Sequence, residues 1–129
     1  MRLGVIGGTG LIDMDLSKKI AAVGGEVIRT DDVLVDTPFG PVPLRCFSLN
    51  IHGEPHELIF LQRHHSDSGH GRPPHMINHK ANMTAMSQSN VDAVLSVCSV
   101  GAIASSFIPG KVGLAGQYID FTGVATTFH

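Results

Sequence analysis

The apolar positions of the chain fall into short runs between turn residues, and their spacing predicts alternating strands and helices. Residues 3–6 and residues 58–61 are apolar runs of a length typical of buried strands. Residues 91–98 are nearly all apolar or small, which is typical of a central parallel strand that is buried on both faces. These three runs therefore predict the core of a sheet that contains parallel strands.

Two segments carry the apolar spacing of amphipathic helices. Residues 11–23 place apolar side chains three and four positions apart, at Leu16, Ile20 and Val23. Residues 75–89 follow a proline pair that favours a helix start, and their methionines form one stripe, at Met76, Met83 and Met86. We interpret the stripe as core packing rather than as part of a cofactor site, because methionine readily fills irregular gaps in a core.

The middle of the chain favours β structure. Residues 25–49 contain a turn at residues 36–41, which is rich in proline, aspartate and glycine. A second turn at residues 50–55 predicts a hairpin with the apolar run that follows it. Pro41 and Pro43 indicate that the strand after the first turn starts at an edge of the sheet, because proline cannot donate a hydrogen bond to a neighbouring strand.

The elements together predict an α/β fold, with a mixed, partly parallel β-sheet and flanking helices. The length of 129 residues predicts one domain over residues 1–129. Hydrophobic residues make up 43% of the chain and charged residues 16%, a composition that is typical of globular proteins. The net charge of −2 favours neither a nucleic-acid partner nor a membrane surface.

The cysteines and the N-terminus predict a cytoplasmic protein. Cys46 and Cys98 lie among apolar neighbours, and we interpret both as reduced, buried thiols. The apolar run near the N-terminus is too short for a signal peptide. No apolar run approaches the roughly 20 residues that a membrane-spanning helix needs.

Residues 63–82 concentrate the polar chemistry of the chain and contain five of its eight histidines. Arg63 and His64 follow a predicted strand directly, and ligands of open α/β sheets bind at the carboxyl ends of strands. A guanidinium and an imidazole at such a place suit the oxygens of a small anion. Cys98 and Ser99 end another predicted strand, where Ser99 is either a ligand donor or a cap.

The glycine turn at residues 7–10 leaves two interpretations open. It lacks the last glycine of the dinucleotide-binding fingerprint, since Asp13 stands at that position, and it lacks the lysine of a P-loop. The turn is therefore either a short phosphate cradle, in which Thr9 supplies a hydroxyl donor, or a plain strand-to-helix turn.

The abundance of histidine also raises the hypothesis of a metal-binding domain. His75 and His79 have the i, i+4 spacing of two metal ligands on one helix face. No HExxH motif accompanies them, and Lys80 flanks the pair with a positive charge. We therefore expect no metal site.

Seven short motifs run along almost the whole chain. They are GVIGGTGL (residues 4–11), VDTPFG (35–40), Arg63-His64, PPHMINHKAN (73–82), SVGAI (99–103), IPG (108–110) and QYIDFT (117–122). In this order they resemble the purine nucleoside phosphorylases of the trimeric class, and within that class the methylthioadenosine/methylthioinosine phosphorylase branch. The resemblance implies that this chain corresponds to the N-terminal half of a nucleoside phosphorylase-like domain.

The resemblance also implies a role for each candidate residue. Phosphate binding is implied for four of them, Thr9, Arg63, His64 and Ser99. Substrate binding is implied for His70, which resembles the histidine that closes over the 5′-substituent of the ribose, and for Cys98. The family often has threonine or asparagine at the Cys98 position, and it usually has glycine where this chain has His65.

The implied reaction is the phosphorolysis of methylthioadenosine or methylthioinosine to free purine and 5-methylthioribose 1-phosphate. It uses inorganic phosphate as co-substrate and no metal or organic cofactor. The resemblance further implies a homotrimer for the full-length protein, with small-molecule partners only. The base-binding half of the family has no counterpart here, so the choice between adenine and hypoxanthine stays open. The alternative is a non-catalytic phosphate- or nucleotide-binding module that lacks that half.

Overall fold

The computed structural model describes residues 1–8, 11, 15–66, 71–123 and 128. The chain forms two compact units, Met1–Cys98 and Ser99–His129. The first unit contains the strands and helices, whereas the described part of the second consists of turns and irregular chain. Within the described ranges, no helix is long and apolar enough to cross a bilayer. A single domain over residues 1–129 stays a prediction.

A mixed sheet forms the centre of the first unit, with the strand order β2-β3-β4-β1-β5. The strands are β1 (Arg2–Gly7), β2 (Gly25–Val35), β3 (Val42–Ile51), β4 (Glu54–Gln62) and β5 (Ala93–Ser96). β1 is parallel to both β4 and β5, and the neighbours among β2, β3 and β4 are antiparallel. The predicted mixed, partly parallel α/β fold is confirmed, and its parallel part lies around β1.

Both predicted turns form hairpins. β2 and β3 pair across residues 36–41, and β3 and β4 pair across His52 and Gly53. His52 and Gly53 have φ values of 54° and 86°, and two left-handed residues match the twist of the strands that they join. β4 pairs with β3 only from Arg45 onward, so in the described chain Pro43 has a strand neighbour on one side alone. The predicted edge is confirmed only for the first residues of β3, because the rest of this strand lies between β2 and β4.

The helix predicted over residues 11–23 is confirmed only over Leu16–Ala22, which form α1. Asp15 caps its N-terminus, where the carboxylate accepts a hydrogen bond from the backbone N–H of Lys18 at 3.2 Å. Gly24 follows the helix with φ of 76°, a left-handed conformation that favours glycine at a helix end. Residues 12–14 of the predicted segment lie outside the described chain.

The prediction of one continuous helix over residues 75–89 is wrong, because the segment is divided into a 3-10 turn and a helix. The proline pair starts only a 3-10 turn, Pro74–Met76, and Ile77 is extended with φ of −64° and ψ of 129°. The helix α2 (His79–Gln88) begins after Asn78, whose side chain accepts a hydrogen bond from the backbone N–H of Ala81. Asparagine prefers this capping position to a helix interior, because its side-chain oxygen there satisfies an otherwise unpaired backbone donor.

The break also overturns the interpretation of the methionine stripe. Met76 is 58% exposed and Met83 is 43% exposed, whereas Met86 is 1% exposed. The buried face of α2 instead carries small residues and one amide, namely Ala81, Asn82 and Ala85, beside Met86. The break separates Met76 from α2, whereas Met83 lies on the same helix as Met86 but away from its buried face.

The core lies between α2 and one face of the sheet. Ala81, Ala85 and Met86 pack against buried strand residues, which are Ile6, Val42, Leu44, Ile59 and Leu61. A Cβ added to Gly4 of β1 would lie 2.9 Å from the Met86 sulfur, so glycine at this position lets the helix approach closely. This packing holds α2 against the parallel strands and fixes it near their carboxyl ends.

The last predicted strand is shorter and more exposed than expected. β5 pairs with β1 alone, and Leu95 is 47% exposed. The apolar residues of β5 are typical of a strand that is buried on both faces. Burial also requires neighbouring elements, and in the described chain β5 has a strand neighbour on one side only. Cys98, which follows β5, was predicted to be buried and is exposed. Cys46 is half-buried, and both thiols are free.

Candidate anion site

The carboxyl ends of the three parallel strands lie side by side. The backbone N–H of Arg63, just after β4, donates to Gly7 O at 3.0 Å. The N–H of Val97, just after β5, donates to Ile6 O at 2.9 Å. β1 therefore has the ends of β4 and β5 on its two sides, which is the edge of an α/β sheet where ligands bind.

The guanidinium of Arg63 lies between the other two strand ends. Its Nη1 donates to Val97 O at 3.2 Å and to Cys98 Sγ at 2.9 Å, and its Nε donates to His64 Nε2 at 3.2 Å. A Cβ added to Gly8 would lie 3.1 Å from Arg63 Nη2, so the absence of a side chain there makes room for the guanidinium. Arg63, which itself follows β4, thus hydrogen-bonds to the end of β5 and lies beside the end of β1.

Among the described residues, Arg63 has no carboxylate partner and keeps unused hydrogen-bond donors. No carboxylate of the described residues pairs with it, since the ion pairs there join Arg2 to Glu57, Lys18 to Asp15, Arg29 to Asp31 and Arg45 to Asp32. The two N–H groups of its Nη2 have no hydrogen-bond partner in that part of the chain. A half-buried guanidinium with unused donors at this edge suits an oxyanion.

His64 uses both of its ring nitrogens inside the site. Its Nδ1 lies 2.8 Å from Arg72 O, and because a carbonyl oxygen only accepts, Nδ1 carries the proton and donates. Its Nε2 accepts from Arg63, so it is unprotonated. The backbone N–H of Arg72 donates to His64 O at 2.8 Å, which joins the chain on both sides of the intervening loop.

A buried amide connects the same strand end to α2. Asn82 is 3% exposed, and its Nδ2 donates to Arg63 O at 3.4 Å. The amide therefore presents Oδ1 to His65, whose Nε2 donates to it at 2.8 Å. Sequence reasoning missed this pair, although the departure from glycine at His65 was a signal. The resemblance offered no partner for a side chain at that position.

The predicted site residues divide into three groups. The structure brings together Arg63, His64 and Cys98. Thr9 and His70 lie outside the described residues. Ser99 is the first residue of the second unit, so its predicted role stays a prediction. Among the described residues, no group of three or more histidine, cysteine or acidic side chains could hold a metal ion.

An apolar groove of about 540 Å³ lies on the sheet face opposite α2, next to this edge. Gln62, which directly precedes Arg63, lines the groove, and most of the other lining residues are apolar, including Val5, Leu11, Phe47, Leu58 and Phe60. Asp32 and Arg45 lie at its β2–β3 side, where hydrogen bonds from Arg45 lower the pKa of the Asp32 carboxyl. An apolar groove beside a few polar groups is a common form of small-molecule site.

Known proteins share both the sequence and the fold. No family model matches the chain. It is 37% identical over 122 residues to "Probable 6-oxopurine nucleoside phosphorylase" of Dictyoglomus turgidum, and this alignment covers 95% of the chain and 40% of the relative. Over nearly its whole length the chain is similar to purine nucleoside phosphorylases. The resemblance inferred from the motifs is thereby confirmed.

Other phosphorylases carry different substrate names. The chain is 37% identical to "Probable S-methyl-5'-thioinosine phosphorylase" of Xanthomonas campestris, covering 98% of the chain and 45% of the relative. It is also 37% identical to "S-methyl-5'-thioadenosine phosphorylase" of Rhodospirillum rubrum, covering 93% of the chain and 36% of the relative. The chain therefore spans about two fifths of the length of the curated phosphorylases that it matches.

A solved structure supports the fold assignment. The chain is similar to a methylthioadenosine phosphorylase from an antarctic soil metagenomic library, with a TM-score of 0.52 and 24% identity. The superposition covers 73% of this chain and 28% of the other. At this identity the likeness shows the phosphorylase fold alone.

Proposed function

We propose that this chain supplies the phosphate-binding part of a purine nucleoside phosphorylase that acts on methylthioadenosine or methylthioinosine. One observation carries the proposal. The Arg63 guanidinium, which pairs with no carboxylate of the described chain, extends from the end of β4, hydrogen-bonds to the end of β5 and lies beside the end of β1. The phosphorylase names of the relatives support the reaction class. The motif tract at residues 73–82 supports the methylthio branch.

In the proposed reaction, a phosphate oxygen attacks the anomeric carbon of the ribose while the bond to the purine nitrogen lengthens. The purine leaves with the electron pair of that bond, and the phosphate oxygen forms the new bond to carbon. The sugar carries positive charge in between. Arg63 would hold the phosphate in line through its Nη2 donors, so the catalytic contribution of this chain is positioning and electrostatic stabilisation.

The remaining predicted residues complete the proposal. Thr9 would donate its hydroxyl to the phosphate, and Ser99 would donate its backbone N–H. His70 would close over the 5′-substituent, and Cys98 would lie on the ribose side. Inorganic phosphate is the co-substrate, and the proposed chemistry needs no metal or organic cofactor. For the whole protein we propose a cytoplasmic homotrimer.

A chimera tests the function in a full-length setting. This chain would replace the matching part of the Rhodospirillum rubrum relative, and chromatography would measure purine release from methylthioadenosine, methylthioinosine and inosine with and without phosphate. We expect phosphate-dependent release from a methylthio nucleoside. The R63M chimera should lose about a hundredfold or more in kcat/KM, because it loses donors to the transition state. The R29M chimera is the matched control, since Arg29 is an exposed arginine paired with Asp31.

Three outcomes would contradict the proposal or part of it. A folded chimera, judged by its melting transition, that releases no purine from any of the three nucleosides would remove the enzymatic function. Purine release by the 129-residue chain alone would show that the division into a phosphate part and a base part is wrong. Faster release from inosine than from both methylthio nucleosides would overturn the substrate assignment only.

The alternative function is a non-catalytic phosphate- or nucleotide-binding module. The contacts of Arg63 fit this alternative as well, because an anion site at the end of a sheet needs no purine-binding residues. This alternative predicts phosphate binding by the chain and no purine release from a folded chimera.

A further inference from the structure

We propose that His65 and Asn82 are positioning residues of the anion site, because they fix the turn that carries Arg63 and His64. This inference rests on the proposed phosphate site and names two residues that act there without touching the anion. Arg63 and, by the resemblance, His64 would contact phosphate. His65 and Asn82 would determine where those two side chains start.

Arg63 and His64 occupy the two central positions of a tight turn. The backbone N–H of His65 donates to Gln62 O at 3.1 Å, which closes a four-residue turn directly after β4. The N–H of Arg63 donates to Gly7 O at 3.0 Å and joins the turn to β1. The directions of the Arg63 and His64 side chains therefore depend on how firmly this turn is held.

Asn82 holds the turn at two points. Its Nδ2 donates to Arg63 O at 3.4 Å, in the middle of the turn, and its Oδ1 accepts from His65 Nε2 at 2.8 Å, at the end of the turn. A backbone carbonyl only accepts, so the amide nitrogen of Asn82 faces Arg63 and the amide oxygen faces the imidazole. The contact with His65 should hold the turn more strongly, because 3.4 Å is long for a hydrogen bond.

The helix α2 gives the Asn82 amide a fixed position. Asn82 is 3% exposed and lies on the packed face of α2 beside Ala81 and Ala85. The two alanines belong to the same buried cluster as Ile6 of β1 and Ile59 of β4. A side chain on this face has little room to move, because protein interiors are closely packed. The amide therefore transfers the position of the helix to the turn.

The replacement of glycine by His65 fits this role. Glycine is favoured at the last position of a common type of turn, and the resemblance implies glycine at this position. The non-glycine residues of the described chain with positive φ are His52 and Asn90, so His65 has a backbone conformation that does not require glycine. Its side chain can therefore contact α2 without backbone strain.

The test compares H65Q with H65N in the 129-residue chain. The amide nitrogen of glutamine can take the place of Nε2 and donate to Asn82, whereas the shorter asparagine side chain reaches only as far as Nδ1. Both replacements are uncharged, so the comparison involves no difference in charge. H52N is the control, because His52 is exposed in the β3–β4 turn and asparagine tolerates its left-handed φ of 54°.

Phosphate affinity would be measured by NMR at one pH, through the Nε–H of Arg63, with urea unfolding used to show that each variant is fully folded. We expect H65Q and H52N to bind within about twofold of wild type and H65N to bind about fivefold more weakly, as the loss of one hydrogen bond predicts. Equal affinity in H65Q and H65N would overturn the inference. If H65N were then only less stable, the contact would serve folding alone.

Kinetics of the chimera with the Rhodospirillum rubrum relative give a second readout. A loosened turn should lower kcat/KM for phosphate about fivefold in H65N relative to H65Q and leave the KM for the nucleoside unchanged. A higher KM for the nucleoside with an unchanged kcat/KM for phosphate would overturn the inference, because the pair would then act away from the anion.

The order of the Arg63 side chain separates this inference from the proposed function. In the anion-free chain, the heteronuclear NOE of Arg63 Nε–H should be lower in H65N than in H65Q, because the turn that carries Arg63 is held less firmly. A wild-type chain that binds no phosphate would refute the proposed anion site. Equal NOE values in the two variants would overturn the positioning role, whether or not phosphate binds.

Discussion

The buried pair of His65 and Asn82 offers a sharp test of how the strand end is held. Asn82 lies on the packed face of α2 and is 3% exposed, and its amide bridges His65 Nε2 and Arg63 O. N82A would remove both contacts and leave the Arg63 carbonyl and the His65 N–H without these partners. We expect N82A to destabilise the first unit, because an unsatisfied buried polar group costs free energy.

The magnitude follows from three contributions. Loss of the 2.8 Å bond from His65 should cost about 1 kcal/mol, and loss of the 3.4 Å bond to Arg63 O should cost no more than that, because the contact is long. Alanine stabilises a helix interior relative to asparagine by roughly 0.5 kcal/mol. The free energy of unfolding of N82A should therefore be lower than that of wild type by roughly 0.5–1.5 kcal/mol.

A double-mutant cycle isolates the contact between the two side chains. Urea unfolding followed by circular dichroism would give the free energies of unfolding of wild type, H65A, N82A and the double variant. We expect a coupling energy of about 1 kcal/mol between the sites. Q88A is the control, since Gln88 is exposed at the end of the same helix and its loss should change stability by less than about 0.5 kcal/mol.

Additive single-variant effects would refute the reasoning. If the destabilisations by H65A and N82A sum to that of the double variant within about 0.3 kcal/mol, His65 and Asn82 do not interact in solution. If N82A is as stable as Q88A, the Asn82 amide does not hold the end of β4. The hydrogen bond from this amide to Arg63 O would then not contribute to the position of Arg63.

Three further predictions concern other parts of the first unit. G4A should lower the free energy of unfolding by about 1–3 kcal/mol, because its Cβ would meet the buried Met86 sulfur at 2.9 Å, and an unchanged melting temperature would show that the core yields there. D32N should cost less than about 1 kcal/mol at neutral pH, because the pair with Arg45 is largely exposed. The folded state lowers the pKa of Asp32 from 3.8, so the stabilisation is present above that value and is lost as the pH falls through the folded-state pKa; a wild-type advantage over D32N that grows on acidification would contradict this sign. Iodoacetamide should label Cys98 before Cys46, because Cys98 is exposed and burial raises the pKa of the Cys46 thiol; mass spectrometry of the peptides would show the order, and faster labelling of Cys46 would contradict the fold at β3.

The sequence predicted the features that depend on residues close together in the chain. β1 and the β3–β4 hairpin were predicted from apolar runs and turn residues, and the structure confirms them. The helix break at Ile77 was missed because two local signals compete: the proline pair favours an earlier start, and Asn78 favours a cap at its own position. Which signal prevails depends on the packing of α2 against the sheet.

The candidate site was predictable in its residue types and not in its contacts. The sequence shows that Arg63 follows a strand. Its contact with Cys98 joins residues 35 positions apart, and it depends on the strand order, in which only β1 lies between β4 and β5. The tautomer of His64 depends on Arg72 O, which no pattern of side chains reveals. The exposure of β5 likewise depends on spatial neighbours, which its apolar residue types do not specify.

The most direct measurement is a titration of the ¹⁵N-labelled chain with inorganic phosphate, followed through the backbone N–H of Gly8 and the Nε–H of Arg63. We predict saturable shifts at both groups, binding weakened about tenfold or more in R63M by the loss of charge-assisted hydrogen bonds, and unchanged binding in R29M. Equal phosphate affinity in wild type and R63M, or shifts confined to residues away from the ends of β1, β4 and β5, would contradict the claim that Arg63 organises an anion site there.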